Sequence, residues 1–160
     1  MIRLTFALLS TLALLAAMPS QAQTGPIEDL DTFPKSKLEI VVAKKQQLTF
    51  EIWLANTPRH QAQGLMFVRS LPSLHGMLFV HESPKPISMW MKNTYIPLDM
   101  VFIDSQGRIQ QIVAQTTPHS LDVIRSNEPA SAVLEIGGGE AEKLGLKAGQ
   151  RVIHPAFAKH

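Results

Sequence analysis

The stretch KLEIVVAKKQQLTFEIWLA, residues 37–55, decides the fold class of this chain. Both of its halves alternate apolar with polar residues, a period typical of half-buried strands. In the second half the apolar side chains that share one face are Leu48, Phe50, Ile52 and Leu54. Residues 44–46 interrupt the alternation and are predicted to form the turn of a β-hairpin.

Further strand-like segments follow on the C-terminal side. They are short, they are separated by turn signals, and they cover residues 76–81, 87–93, 98–104, 108–116, 131–136 and 150–154. Residues 82–86 and 105–107 are predicted turns, and Gly107 can supply a positive φ in the second of these. About eight short strands at this spacing predict a mainly β fold, an antiparallel sandwich or squashed barrel.

Two short helices interrupt the strands. Thr57 is suited to the N-cap of the first, Pro58 to its first position and Gly64 to its C-terminal cap. A second helix follows the glycines at 137–139 and would close at Gly145. An α+β domain with a larger helical share remains the alternative fold class.

The N-terminus has the pattern of a secretory signal. Arg3 precedes an apolar run over residues 4–18, and Ser20 and Ala22 give the small-x-small ending that a signal peptidase reads. We predict a signal peptide over residues 1–22, a linker over 23–36 and a single β-rich domain over 37–160. The protein would then be periplasmic or extracellular, with no membrane span after cleavage. An uncleaved N-terminal anchor is the alternative.

Composition excludes several classes of function. The chain has no cysteine, so thiol catalysis, thiolate metal sites and disulfide exchange are excluded. It carries 15 Lys and Arg against 13 Asp and Glu. Removal of residues 1–22 takes away only Arg3, which leaves 14 against 13. Because this balance is nearly neutral and no basic run occurs, we expect no nucleic-acid partner.

The segment SMWMKNTYIPLDM, residues 88–100, predicts a second hairpin with its tip at residues 95 and 96. In that register Lys92 faces Asp99 and Met91 faces Met100. The methionines would then lie on the core face, while Trp90 and the charged pair lie on the other.

Two interpretations of this predicted hairpin stay open. Its polar residues can be ordinary turn chemistry with a surface ion pair between Lys92 and Asp99. Alternatively, an aromatic ring, an ammonium, an amide, a hydroxyl and a carboxylate converge on one binding site. On that reading Trp90 would wall a cleft and stay partly exposed, and Asp99 would hold the Lys92 ammonium at its mouth.

A soft-metal site is a further alternative. Thioether and imidazole ligands suit Cu(I). The candidate ligands are Met66, Met77, Met89, Met91, Met100, His75 and His81. No pair of histidines has ligand spacing, and methionine commonly fills gaps in cores. We therefore assign no metal site.

Five segments together resemble the prokaryotic family called domain of unknown function 192. They are GLMFVRSLP, HGMLFV, MWMKNTYIPLDMVFID, GRIQQI and AVLEIGGGEAEKLGLKAGQRV, within residues 37–152. The resemblance implies a compact β-rich fold and, in many members, export or membrane association, but no established activity. Two residues depart from the family pattern: His81 replaces a residue that is commonly apolar, and Gln150 replaces a usual Asp.

The leading functional hypothesis is an extracytoplasmic binding or interaction module for a small molecule or envelope component, without a cofactor. The candidate ligand-binding residues are Arg69, Trp90, Lys92, Asn93, Thr94, Asp99 and Glu135. Trp90 would stack on the ligand, while Arg69 and Lys92 would hold an anionic group. The alternative is a hydrolase or lyase using Lys92 with Asp99 or Glu135 as acid and base.

Overall fold

The computed structural model describes residues 25–44 and 46–158. Within these residues the chain forms nine strands and two short α-helices. The predicted mainly β class is therefore confirmed. The predicted signal peptide over residues 1–22 lies outside the described residues.

The strands are β1 Lys35–Ala43, β2 Gln46–Ala55, β3 His75–Lys85, β4 Ser88–Met89, β5 Leu98–Ile103, β6 Ile109–Val113, β7 Ile124–Arg125, β8 Ala130–Gly137 and β9 Arg151–Ile153. The helices are α1 Pro58–Gln63 and α2 Glu140–Leu144. Short 3-10 helices at Leu30–Thr32 and Pro155–Phe157 flank the strands.

Seven strands form one sheet in the order β6-β5-β8-β3-β2-β1-β9, while β4 and β7 pair separately. The sheet curls until its edge strands approach each other. Arg108 forms an antiparallel bridge with Arg151, and the Ile109 N–H donates to the Gln150 carbonyl at 3.0 Å. The fold is thus a curled half-barrel, within the predicted range of sandwich or squashed barrel.

The predicted antiparallel arrangement is wrong for one strand pair. β2 and β3 run parallel, with Ile52 opposite Gly76. Parallel neighbours need a crossover connection of a dozen or more residues. Residues 56–74, which contain α1, supply this connection. Part of this crossover forms one wall of the candidate site.

Strand alternation divides the interior into two cores. The first core includes Leu38, Phe50, Ile52, Val101 and Leu134. The second core includes Met77, Phe79, Met91, Met100 and Phe102. The face predicted from β2 is confirmed, because all four of its alternating apolar residues belong to the first core or pack against it.

Helix α1 begins and ends as predicted. The Thr57 hydroxyl accepts a hydrogen bond from the His60 N–H at 3.1 Å, Pro58 is the first helical residue, and Gly64 is the C-cap with φ +50°. A Cβ at Gly64 would lie 3.1 Å from the Phe79 ring. Glycine therefore serves both the backbone conformation and the close approach to β3.

The predicted hairpin over residues 88–100 is wrong. In its first half only Ser88–Met89 is a strand, and it pairs with β7, while the second half belongs to β5, which pairs with β6 and β8. The chain turns at Asn93, which has φ +56°, and the Met91 N–H donates to the Ser120 carbonyl. The predicted turn over residues 82–86 is also wrong, because β3 continues to Lys85.

The clustering of methionines is nevertheless correct. Met91 and Met100 are buried in the second core, and Met89 packs against it. Apolar side chains reach the same core by different backbone routes, so the hydrophobic pattern identified the core without identifying the strand pairing.

The described part of the predicted linker packs against the domain. The Gln63 side-chain carbonyl accepts hydrogen bonds from the Ile27 and Glu28 N–H groups, at 2.6 and 3.3 Å. Phe33 is buried and stacks on His60 with ring centroids 4.2 Å apart. Because a buried aromatic anchors this segment, the packed structure begins before the predicted boundary at Lys37.

Candidate functional site

A cavity of about 340 Å³ opens between the crossover, β3 and residues 85–94. Its apolar wall includes Leu65, Met66, Phe79, Ile87, Met89 and Trp90. Its polar side chains are Gln61, Gln63, His81, Lys85, Ser88, Thr94 and Glu135. An apolar wall with a few polar groups is typical of a small-molecule site.

Sheet register places Glu135 in this cavity. On β8 it lies opposite Met77 of β3 and Met100 of β5. Residues opposite each other in a sheet project from the same face. The Glu135 side chain therefore enters the second core between two methionines, on the face where the cavity lies.

The Glu135 carboxyl group has no partner among the described residues. The side chain is only 4% exposed, and no hydrogen bond or ion pair connects it to any residue in 25–44 or 46–158. Burial raises the pKa of Glu135 to about 8, because desolvation disfavours the charged form. At neutral pH the group is mostly a neutral acid.

The two glutamines of the cavity wall are occupied by the scaffold. The Gln61 amide donates to the carbonyls of Ala55 and Val80 at 3.2 and 2.8 Å. The Gln63 amide donates to the Met66 carbonyl at 3.0 Å. These side chains hold α1 and the following turn against the sheet, and this fixes the shape of the cavity.

Thr94 is buried at the cavity wall. Its hydroxyl donates weakly to the Lys92 carbonyl at 3.3 Å, which leaves the oxygen lone pairs available to accept. The candidate site thus contains one hydroxyl acceptor together with the Glu135 carboxyl group.

His81 lines the cavity further along β3 than the position opposite Glu135. It lies four residues beyond Met77 along β3, which corresponds to about 13 Å of strand. Its Nε2 atom is buried without a hydrogen-bond partner in the described part of the chain. Burial lowers the pKa of His81, and the Lys85 charge lowers it further, so the imidazole is held in its neutral form.

Trp90 borders the cavity and is half exposed, at 50%. The Lys92 ammonium lies 5.4 Å from the ring centroid, in a cation–π contact. The predicted partial burial of Trp90 is confirmed. The predicted role of Asp99 in holding Lys92 is wrong.

Asp99 has a different place in the fold. It is fully buried on β5, and its carboxylate accepts backbone hydrogen bonds from Gln115 at 2.7 Å, Gly139 at 2.9 Å and Ala141 at 2.8 Å. Because two of these donors belong to the start of α2, Asp99 anchors that helix to the sheet. It belongs to the scaffold and forms no ion pair with Lys92.

The remaining predicted residues lie outside the cavity wall. The Arg69 guanidinium lies 5.0 Å from the centroid of the Tyr95 ring, and the Asn93 amide lies 4.0 Å from the Met66 sulfur. Of the seven predicted ligand-binding residues, the cavity is lined by Trp90, Thr94 and Glu135.

Sequence reasoning missed the two groups of cavity residues on the crossover and on β3. His81 carried a signal as a departure from the family pattern, and Met66 and His81 were both candidate copper ligands. Of the candidate copper ligands, Met66, Met89 and His81 line the cavity. Met77, Met91 and Met100 are buried in the second core, and no group of three His, Cys, Asp or Glu with metal-site geometry occurs in the described ranges.

Comparison with known proteins identifies the family of this chain. The profile of domain of unknown function 192 (DUF192), described as "Uncharacterized ACR", matches residues 40–154. The chain belongs to the DUF192 family. Its departure at Gln150 is accommodated in the fold, because the Gln150 side chain accepts from the Lys147 N–H at 2.9 Å and donates to the Gly145 carbonyl at 3.0 Å.

Two crystal structures are similar to this DUF192 chain. A candidate transcription regulator from Sinorhizobium meliloti 1021 is 39% identical, with a TM-score of 0.75, and the match covers 78% of this chain and 96% of the other. A protein of unknown function from Novosphingobium aromaticivorans DSM 12444 is 31% identical, with a TM-score of 0.75, covering 87% and 99%. A comparison with curated proteins gives no match.

The helices of the described residues are all short. None has the length and apolar character needed to cross a bilayer.

Proposed function

We propose that this chain is an extracytoplasmic module that binds a small organic molecule in the cavity beside Trp90. One observation carries the proposal: Glu135 is a buried carboxyl group that has no partner among the described residues and lines a cavity with an apolar wall. A buried polar group without a partner costs about 1–3 kcal/mol. A ligand that supplies the missing partner would recover that free energy.

The size of the cavity limits the ligand. A volume of about 340 Å³ lies at the lower end of the range for small-molecule sites, roughly 300–1,000 Å³. The Trp90 ring and the methionines favour an apolar or flat body. The name of the Sinorhizobium meliloti relative suggests regulation of transcription, but the absence of a basic run in this sequence gives no support for direct nucleic-acid contact.

The test is a fragment screen read by the fluorescence of Trp90. The chain has two tryptophans, so Trp53→Phe leaves Trp90 as the reporter, and Trp90→Phe leaves Trp53 as the matched control. We expect a subset of fragments to change the emission of the first protein, to compete with one another and to leave the control unchanged. A library that changes neither protein, or both equally, would contradict the proposal.

A second candidate function is acid–base catalysis by Glu135, in a hydrolase or lyase. The raised pKa of Glu135, about 8, favours it, because a general acid or base works best when its pKa lies near the operating pH. Lys92 supports it less, since its ammonium lies over Trp90 and does not line the cavity. Mass spectrometry of each bound fragment after incubation separates the two functions: recovery unchanged supports binding, and conversion that Glu135→Gln abolishes supports catalysis.

The exported location is part of the proposal and depends on residues 1–22. Mass spectrometry of the protein purified from the native envelope should give a mature N-terminus at Gln23. A mature protein that retains Met1 would contradict cleavage and favour the anchored alternative.

A further inference from the structure

Glu135 lacks a positive partner on every side from which the described chain could provide one. The three ion pairs among the described residues join Lys35 to Asp31, Lys37 to Glu51 and Arg59 to Glu28. The other titratable groups that line the cavity are His81 and Lys85, both further along β3. His81 is about 13 Å along the strand from the position opposite Glu135.

Among the described residues, no cation of the neighbouring elements forms an ion pair with Glu135 either. β5 brings Asp99, whose carboxylate is occupied by backbone N–H groups. From α2, Glu140 accepts hydrogen bonds from the Ser73 hydroxyl and the Leu74 N–H at 2.5 and 2.7 Å. In the segment between β4 and β5, the Lys92 ammonium lies over the Trp90 ring. The Glu135 carboxyl group at the cavity wall therefore has no positively charged partner among the described residues.

We propose that the cavity takes an organic cation, a primary ammonium or related group on an apolar body, with the positive group against Glu135. This inference rests on the proposed binding function and names the class of its ligand. Buried charges in proteins are paired, and the ligand ammonium would be the missing partner. The Thr94 oxygen, whose proton is directed to the Lys92 carbonyl, offers a second acceptor, and the methionines and Phe79 contact the apolar body.

Proton release follows from this pairing. In the free protein Glu135 has a pKa of about 8 and holds a proton at neutral pH. An ammonium stabilises the carboxylate, so binding displaces that proton. Below pH 8 the affinity for an ammonium should therefore rise by up to about tenfold for each pH unit, while the affinity for an uncharged analogue should not rise.

The experiment uses matched probes in protein-observed NMR titrations of the mature chain. Hexylamine, 1-hexanol and hexanoate share one apolar body, and benzylamine, benzyl alcohol and benzoate share another. The Trp90 indole N–H is the reporter, and the Trp53 indole N–H is the internal control. We expect each amine to bind at least about tenfold more tightly than its alcohol at pH 8, and to lose most of that advantage by pH 6.

Two variants sharpen the result. Glu135→Gln keeps the shape of the side chain but cannot ionise, so the amine should lose its advantage over the alcohol and its pH dependence. Lys85→Ala removes the cation at the other end of the cavity and should change the preference for the amine less than about twofold. A preference for the amine that survives Glu135→Gln would overturn the inference.

The outcomes separate this inference from the proposed function. Alcohols or carboxylates that bind at Trp90 as tightly as the amines would contradict the preference for a cationic ligand, but they would still support the proposed binding function. If no probe from either series shifts the Trp90 indole resonance, and the fragment screen also fails, both proposals are wrong.

Discussion

Asp99 and Glu135 are two buried carboxyl groups on neighbouring strands, and their surroundings differ in one respect. Asp99 accepts three backbone hydrogen bonds that connect β5 to α2 and to residue 115. Glu135 faces a cavity and has no partner among the described residues. The fold supplies three hydrogen-bond donors to Asp99 and, within the described residues, none to Glu135. The contrast shows that burial of a carboxyl group does not by itself distinguish scaffold from candidate site, whereas its hydrogen-bond partners do.

The largest expected effect is the loss of the Asp99 anchor. Asp99→Ala leaves the buried N–H group of Ala141 and the part-buried N–H groups of Gln115 and Gly139 without an acceptor. A buried group without a partner costs about 1–3 kcal/mol and a part-buried one less, so we expect the free energy of unfolding to fall by about 4 kcal/mol. Urea denaturation measures it. Asp99→Asn, which keeps one acceptor oxygen, should lose less.

Asp104→Ala is the matched control, because Asp104 also accepts from two backbone N–H groups, of Gln106 and Arg108, but in an exposed turn. Its cost should stay near 1–2 kcal/mol. Equal costs at Asp99 and Asp104 would contradict the anchoring role.

The second prediction concerns the pH dependence of stability. The pKa of Glu135 is raised in the folded protein from 4.5 to about 8, so the folded state binds the proton more tightly than the unfolded state. Stability from this group is present below about pH 4.5 and is lost as the pH rises towards 8. The loss is about 1.4 kcal/mol per pH unit.

Glu135→Gln should abolish that loss. Relative to wild type it should gain about 3 kcal/mol in free energy of unfolding between pH 5 and pH 7, as measured by denaturant titration at each pH. Glu142→Gln, at an exposed position on α2, should follow the wild-type curve. A Glu135→Gln curve that runs parallel to wild type would show that the carboxyl group has a partner.

The third prediction tests whether Trp90 belongs to the site or to the core. Because its ring is half exposed, Trp90→Ala should lower stability by about 1 kcal/mol, well below the roughly 3–5 kcal/mol of a buried aromatic. Phe102→Ala, at a fully buried position, is the comparison. Thermal or urea unfolding of both variants measures the two losses of stability. Similar losses for Trp90→Ala and Phe102→Ala would assign Trp90 to the core.

The smallest effect is expected at Lys92. Its contact with Trp90 is an exposed cation–π pair, worth about 0.5–1 kcal/mol, so Lys92→Ala should lower stability by no more than that. The emission of Trp90 in the Trp53→Phe background should still shift, because a charge beside the ring is removed. A stability loss above about 2 kcal/mol would assign Lys92 a structural role that the contacts do not show.

Sequence reasoning succeeded where the determinants are local. The caps of α1 at Thr57 and Gly64, the turn at Gly107 and the apolar alternation of β2 depend on a few adjacent residues, and each occurs where it was predicted. The same holds for the shared burial of Met91 and Met100, since the hydrophobic effect selects a face without regard to partner strand.

It failed where the answer depends on which strands meet. Lys92 and Asp99 are seven residues apart and looked like a cross-strand pair, but β5 finds its partners in β6 and β8. The partners of Asp99 lie 16, 40 and 42 residues away, and no local pattern encodes them. The cavity was missed for the same reason, because its walls come from three separate parts of the chain.

The parallel crossover between β2 and β3 has an evolutionary consequence. Residues 56–74 connect the two strands outside the hydrogen-bonded ladders, yet Gln61, Gly64, Leu65 and Met66 form one wall of the cavity. Substitutions or insertions there can reshape that wall while the register of the sheet is conserved. Under the proposed binding function, transplanting this segment between two DUF192 proteins should transfer ligand preference along with it.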